Sequence, residues 1–309
     1  MQDVGNYRRI TVTPVGGYLG AEIGGVDLRS LDDETFAEIS RAFADHSVIF
    51  LSDQNLTPRE MEAFGSRFGQ LSITSYVPPL EGSTYIQHFV REAGHKWGDR
   101  NFGDNWHQDQ TIREKPNLIS ALYSVDAPAM GGDTMFSSLY AAFETLSPTL
   151  QEICEGMTLL HSATGLYGAD GQGGRGVKKA MDRPKFTITD EELSAHLAKE
   201  TPHPLIVTHP VTGRKILYIS GPYAIRFEGM TEDESQPLIQ FLYQHAQRPE
   251  FATRWRWRKG EVAVWDNWAC MHFGVQDYAG MRREMYRFEV TGGKPTASAS
   301  ALAMAEAVE

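Results

Sequence analysis

The chain has 309 residues, 41% of them hydrophobic, and a formal net charge of -11. That length suits one large domain or two small ones around a substantial core, and the acidic balance disfavours nonspecific binding to nucleic acid. Two cysteines, Cys154 and Cys270, exclude a disulfide framework and a cysteine-rich zinc pattern; a polar start and the lack of a membrane-length apolar run set the expectation of no signal peptide, no membrane partner and a cytoplasmic protein.

In chain order, Val12, Pro14 and Gly16-Gly17 open with strand and turn character. A helix is expected over 31–46, with Phe36, Ile39 and Phe43 at helical spacing, and a short apolar strand over 47–51. Thr57-Pro58-Arg59-Glu60 opens a second helix: Thr57 caps, Pro58 suits the first position, and Glu60 completes a capping box ahead of the stripe Met61, Phe64 and Phe68. Ser147-Pro148 and Thr231-x-x-Glu234 announce two more helices. β-Like runs fall at 84–89, 118–125, 134–136, 205–208, 215–219, 261–265 and 285–290. Arg254, Arg256 and Arg258 alternate with Trp255 and Trp257, as on a strand with one charged and one aromatic face. Short strands without regular βαβ alternation predict a sandwich or jelly roll with helices packed outside. The glycine-rich stretch 165–179 reads as a lid over a pocket or as an ordinary surface loop, and the Ala- and Ser-rich stretch 296–309 as a tail beyond a single domain over 1–295.

The chemistry centres on His107-Gln108-Asp109, answered far downstream by His272. Two histidines and one carboxylate can occupy one face of an octahedral metal and leave the rest open, the facial arrangement of non-haem Fe(II) oxygenases. His107 and Asp109, two residues apart, point to the same side of an extended backbone. The triplet alone also fits a solvated histidine beside a surface aspartate, and the same ligands would serve a zinc hydrolase or a cupin-like binding protein. Context is supplied by Trp106, Gly131-Gly132-Asp133-Thr134 and Trp265-Asp266-Asn267. On the last strand Arg283, Met285, Arg287 and Glu289 share one face, and Tyr286, Phe288 and Val290 the other. Either the arginine face meets solvent, or both arginines, about 13 Å apart, sit in a barrel mouth where each must meet an anion. Thr134 can add a hydrogen bond to a carboxylate on Arg283. The remaining histidines read as structural or surface groups.

Together with Leu19-Gly20-Ala21-Glu22-Ile23, Gly25-Val26-Asp27-Leu28, Thr208-His209-Pro210, Gly213-Arg214-Lys215 and Arg282-Arg283, these motifs resemble the taurine dioxygenase and 2,4-D dioxygenase family of Fe(II)/2-oxoglutarate oxygenases, over residues 10–295. Arg91-Glu92-Ala93, His161-Ser162-Ala163-Thr164 and Asp277-Tyr278-Ala279-Gly280 look like its branch acting on aryloxyalkanoates. The resemblance implies a mainly β fold with flanking helices, a double-stranded β-helix (jelly roll). It implies Fe(II), 2-oxoglutarate and O2 as cofactors and cosubstrates, with His107, Asp109 and His272 as the catalytic iron ligands. Arg283 would hold the distal carboxylate of 2-oxoglutarate, with Thr134 helping and Trp265 near; Arg287 would hold a small anionic substrate, with Gln110 beside it. The implied reaction hydroxylates an aryloxyalkanoate-like carboxylate, or a sulfonate or alkyl sulfate, and releases succinate and CO2, in a homo-oligomer (dimer or tetramer). Thr74 and Val77 stand where taurine enzymes carry a histidine and a tyrosine, and Gly103 where they carry an asparagine. The stretch 76–80 with Phe89 and Phe102 can instead make an apolar pocket.

Overall fold

The computed structural model describes residues 6–73, 79–96, 103–164 and 199–297. The chain opens with β1 (Thr11–Pro14) antiparallel to β2 (Ala21–Gly24), which runs parallel to β3 (Val48–Leu51). Helix α1 (Asp33–His46) makes that crossover; Asp32 caps it, and Ser47 ends it at φ 61°, turning the chain straight into β3. Helix α2 (Pro58–Ser66) begins with the expected capping box on Thr57 and Glu60. Phe68 lies beyond its end but packs edge-on against Phe36 and Phe64. There follow β4 (Gln87–Arg91), β5 (Asn117–Asp126), β6 (Thr134–Ser138), α3 (Leu139–Glu144), α4 (Pro148–Glu155), β7 (Thr158–His161), β8 (Thr201–Pro204), β9 (Ile206–Thr208), β10 (Lys215–Leu217) and β11 (Ala224–Phe227). The chain then forms α5 (Glu232–Ala246), β12 (Ala252–Trp255), β13 (Val262–Asp266), β14 (Cys270–Gly274) and β15 (Arg283–Thr291).

The strands build a seven-stranded sheet in the order β1-β2-β3-β13-β5-β15-β4, two three-stranded sheets, β12-β6-β14 and β11-β7-β8, and the pair β10-β9. The large sheet is covered on both faces, which is why its central strands read as unbroken apolar runs. Val48 and Phe50 of β3 and Ala263 and Trp265 of β13 face one core, while Ile49, Leu51, Val262 and Val264 face the other. On the first side Phe50 stacks on Trp255 of β12 at 4.0 Å and meets Phe136 of β6 edge-on, so the β12-β6-β14 sheet packs against the large one. On the second side α1 and α2 supply Ile39, Phe43, Met61 and Phe64. Each such side chain contributes about 1.5–3 kcal/mol of burial.

The expected mainly β architecture with helices outside is present. Strands β2, β7, β8, β11 and β14 and the short helix α3 were not expected; β2 has only four residues, and the other four strands are short and carry His, Pro, Arg or Cys where an alternating apolar pattern would be sought. The arginine-bearing face of β15 turns inward, with Met285 and Glu289 fully buried. His46, His161, His203 and His209 are buried structural groups. The glycine-rich stretch 165–179, Thr74, Val77, Phe102 and residues 298–309 lie outside the described residues. Among the described residues no helix is long and apolar enough to cross a membrane.

Candidate active site

His107 and His272 are brought side by side by a two-way backbone bridge: His107 N donates to His272 O at 3.0 Å, and His272 N donates to His107 O at 2.8 Å. Their rings lie 4.1 Å apart. Asp109 completes the group, its two carboxylate oxygens each 3.6 Å from one histidine Nε2. One ligand atom from each residue lies within 4.8 Å of the others. Donors on neighbouring positions of an ion, each about 2.1 Å from it, lie about 3 Å apart, so the spacing suits a single divalent cation. The tautomer suits it too. His107 Nδ1 donates to Asn105 O at 2.7 Å, which leaves the Nε2 lone pair facing Asp109. Burial, His107 and Arg287 all hold His272 well below the ordinary imidazole range, so it stays neutral, as a ligand must. Burial opposes ionisation of Asp109, but its polar neighbours, Arg287 first among them, outweigh it and keep the carboxyl well below its usual range.

The triplet is clamped by Asn267. Its Oδ1 accepts from Asp109 N at 2.7 Å, and its Nδ2 donates to Asp109 O and Asn117 O, both at 2.9 Å. Gln108 donates through Nε2 to Asn267 O and Trp268 O, tying the same two segments again. Asp266 shapes the turn between β13 and β14 that delivers His272: its Oδ1 accepts from Trp268 N and Ala269 N, both at 2.9 Å. His209 Nε2 lies 2.7 Å from the other oxygen, Oδ2. Asn267, Asp266 and His209 therefore position the ligands. The motif strings contained all three, but only the fold reveals what they do.

Arg283 opens β15 and has no carboxylate in ion-pair range among the described residues; its Nε has no partner. Burial presses this cation toward its neutral form, with Tyr278 and Asp133 only partly compensating. A guanidinium stays charged in proteins, so the position calls for an anion. Its surroundings are shaped by Gly131 and Gly132, both at positive φ; a Cβ on Gly131 would stand 2.5 Å from Asp277 Oδ1. Two residues past Gly132, Thr134 Oγ1 accepts from Trp257 Nε1 at 2.9 Å, so its own proton is left to donate to a ligand. Trp257, read from the sequence only as part of an aromatic face, is the group that orients this hydroxyl. Arg282 points the other way, into ion pairs with Asp126, Glu284 and Glu92.

Arg287 is half-buried and already engaged. Its Nη2 is 2.7 Å from Asp109 Oδ2 and also meets Glu289, a fully buried carboxylate that accepts from Gln87 Nε2 at 3.0 Å. Ser120, opposite Glu289 on β5, donates to Asp109 Oδ2 at 3.2 Å. Phe89 lies 5.9 Å beneath the Arg287 guanidinium. Trp265 packs its ring 4.9 Å from that of His272. Gln110, directly after Asp109, adopts φ 59°, and its buried Oε1 has no protein partner. Strain of this kind clusters at ligand sites. His107, Asp109, His272, Arg287 and Trp265 thus touch one another around one centre, with Arg287 shared between two carboxylates, while Arg283 stands by Gly132 and Tyr278, open to an anion.

A mainly β chain with two histidines and a carboxylate converging at one point, and a half-buried arginine without an ion-pair partner among the described residues on the same strand as Arg287, has the makings of a metal-dependent oxygenase. The sequence matches the family described as "Taurine catabolism dioxygenase TauD, TfdA family" over residues 11–288, and the chain belongs to that family. It is a 2-oxoglutarate-dependent dioxygenase, an oxidoreductase that works with Fe(II), 2-oxoglutarate and O2. This sets aside the hydrolase and binding-protein alternatives. The chain is 33% identical over 288 residues to an alpha-ketoglutarate-dependent sulfate ester dioxygenase of Pseudomonas putida, covering 93% of this chain and 91% of that protein. It is 28% identical over 305 residues to the alpha-ketoglutarate-dependent 2,4-dichlorophenoxyacetate dioxygenase of Cupriavidus pinatubonensis, covering 90% and 96%. Among solved structures, a taurine dioxygenase from Burkholderia xenovorans superposes with a TM-score of 0.75 at 29% identity, covering 94% of this chain and 93% of that one. The family expectation is upheld; the narrower likeness to the aryloxyalkanoate branch has no specific support, since the sulfate ester enzyme is the more similar of the two relatives named first.

Proposed function

We propose that the chain hydroxylates a small organic monoanion, with a sulfate ester as the favoured substrate class, on a double-stranded β-helix formed by a single domain over 1–295. The observation that carries the reaction is the His107–Asp109–His272 cluster, with Arg283 left without an ion-pair partner among the described residues on the strand that also carries Arg287. His107, Asp109 and His272 hold the metal through two nitrogens and one carboxylate. Fe(II), with 2-oxoglutarate and O2, supplies the oxidant and yields succinate and CO2. Arg283 pairs with the far carboxylate of 2-oxoglutarate and Thr134 donates to it, while Trp265 buttresses His272. Arg287 and Gln110 line the substrate side with Phe89, and place the carbon to be oxidised. Hydroxylation of a carbon bonded to a sulfate ester oxygen leaves an unstable adduct, which expels sulfate and becomes a carbonyl compound. The preference for a sulfate ester rests on the 33% identical relative. An aryloxyalkanoate is the second reading, supported by the 28% identical 2,4-dichlorophenoxyacetate enzyme. A homo-oligomeric cytoplasmic enzyme completes the reading.

The test is a panel of alkyl sulfates, alkylsulfonates and aryloxyalkanoates, scored by succinate formed in the presence of Fe(II), 2-oxoglutarate and air. Succinate release stimulated by an alkyl sulfate, with stoichiometric sulfate, is expected. Stimulation by aryloxyalkanoates alone would move the assignment to the second reading, and no stimulation by any anion would remove both.

A further inference from the structure

We propose that Glu289 is a specificity-determining residue: by sharing Arg287, it restricts the substrate side of the site to singly charged head groups and rejects dianions. This rests on the reading above in which Arg287 meets the substrate. Glu289 is fully buried and held in place from two sides, by Arg287 and by Gln87 Nε2 at 3.0 Å. Arg287 Nη2 also lies 2.7 Å from Asp109 Oδ2, so two carboxylates converge on one guanidinium nitrogen. Arg287 Nε, by contrast, is buried without a protein partner, which leaves an N–H donor for a ligand.

The charges decide what that ligand can be. With a divalent ion compensating Asp109 and one carboxylate of 2-oxoglutarate, and Arg283 the other, Arg287 and Glu289 cancel each other, and no net positive charge remains to attract a head group. A monoanion can still accept the Nε hydrogen bond. A second negative charge brought to the same place would stand close to the Glu289 carboxylate in a water-poor site, where like charges repel strongly. The sulfate of an alkyl sulfate carries one charge and the phosphate of an alkyl phosphate close to two, in nearly the same tetrahedral volume. The pair Arg287–Glu289 therefore separates two ligands that shape alone cannot.

Calorimetric binding to the Mn(II)- and 2-oxoglutarate-loaded protein under nitrogen at pH 8 tests this. Three ligands of equal chain length are compared: an alkyl sulfate and an alkyl methyl phosphate, both monoanions, and the alkyl phosphate dianion. The two monoanions should bind within a few-fold of each other, and the dianion at least about tenfold more weakly. Glu289→Gln should bring the dianion to within about threefold of the sulfate while leaving 2-oxoglutarate affinity unchanged. Equal binding of mono- and dianion by the unmodified protein overturns the proposal, as does undiminished discrimination in Glu289→Gln. If that variant does not fold, the ligand series on the unmodified protein decides alone. A different result separates the parent reading: alkyl sulfate affinity that Arg287→Gln leaves unchanged means the head group does not meet Arg287, and both fall.

Discussion

At the residue scale the two inward arginines of β15 are chemically unlike. Arg283 has no ion-pair partner among the described residues, while Arg287 has two carboxylates. Loss of a buried charge-assisted pair with a ligand costs about 2–5 kcal/mol. Arg283→Gln should therefore weaken 2-oxoglutarate by at least about thirtyfold in a calorimetric titration, with metal affinity little changed; undiminished cosubstrate binding would place the far carboxylate elsewhere. Trp257→Phe removes only the donor that orients Thr134. A net hydrogen bond is worth about 1 kcal/mol, so a KM for 2-oxoglutarate raised about fivefold, with kcat nearly intact, is the expected outcome. Asp109→Ala should abolish tight Mn(II) binding, read from the paramagnetic signal of the free ion; retained binding would remove it from the ligand set.

At the element scale the hairpin β13–β14 matters most, because it brings Asn267 and His272 to the triplet. Asn267→Ala breaks three hydrogen bonds to buried backbone groups and leaves those groups orphaned. The expected loss is about 2–4 kcal/mol of stability by urea unfolding. Metal affinity should fall about 10–100-fold, as it does when a group orienting the ligands is lost. An unaffected metal affinity would mean that the clamp is merely structural. Helix α5 offers a control. Its capping box on Thr231 and Glu234 lies on the protein's outside, so Thr231→Ala should cost about 1 kcal/mol and leave activity alone. The contrast also explains what could be read in advance. Capping boxes at Thr57 and Thr231 span three residues, and their chemistry is local. The Asn267 clamp joins positions 158 apart, and no spacing rule links Asn267 to Asp109 before the fold does. His272 could be proposed only because its partners formed a motif; β14, which carries it, has no strand-like alternation. The inward turn of Arg287 was one of two open options, and Glu289 beside it gave no sign that it would be its partner.

At the scale of the whole molecule, several histidines are wholly or partly buried, which disfavours their charged form. Burial and its neighbour His203 hold His161 well below the ordinary range, and burial lowers His203, His46 and His245. In the unfolded chain these groups take up protons below about pH 6.5. Their folded values are depressed, so the unfolded state binds more protons and stability rises with pH through that window. It is fully present above about pH 6.5 and is lost below, by up to about 1.4 kcal/mol per pH unit for each histidine titrating. Chelator-treated protein should thus melt at a clearly lower temperature at pH 5.5 than at pH 7.5, and His161→Phe should show a shallower dependence. A melting temperature flat across that range would mean these sites are solvated.

The order of the large sheet has a temporal side. β13, which begins at Val262, lies between β3 and β5, whose residues are complete by Leu51 and Asp126. A ribosome adding about 5–20 residues per second needs on the order of 10 s to pass from His107 to His272. For most of that interval, from the completion of β5 to that of β13, β3 and β5 each present an unpaired edge toward a gap that only β13 can fill, and two of the three ligands wait without their clamp. Chains released before β14 should therefore neither close the sheet nor retain metal. The edges flanking the gap are where a nascent or truncated chain is most exposed to aggregation, and the metal centre is among the last parts of the molecule to come into being.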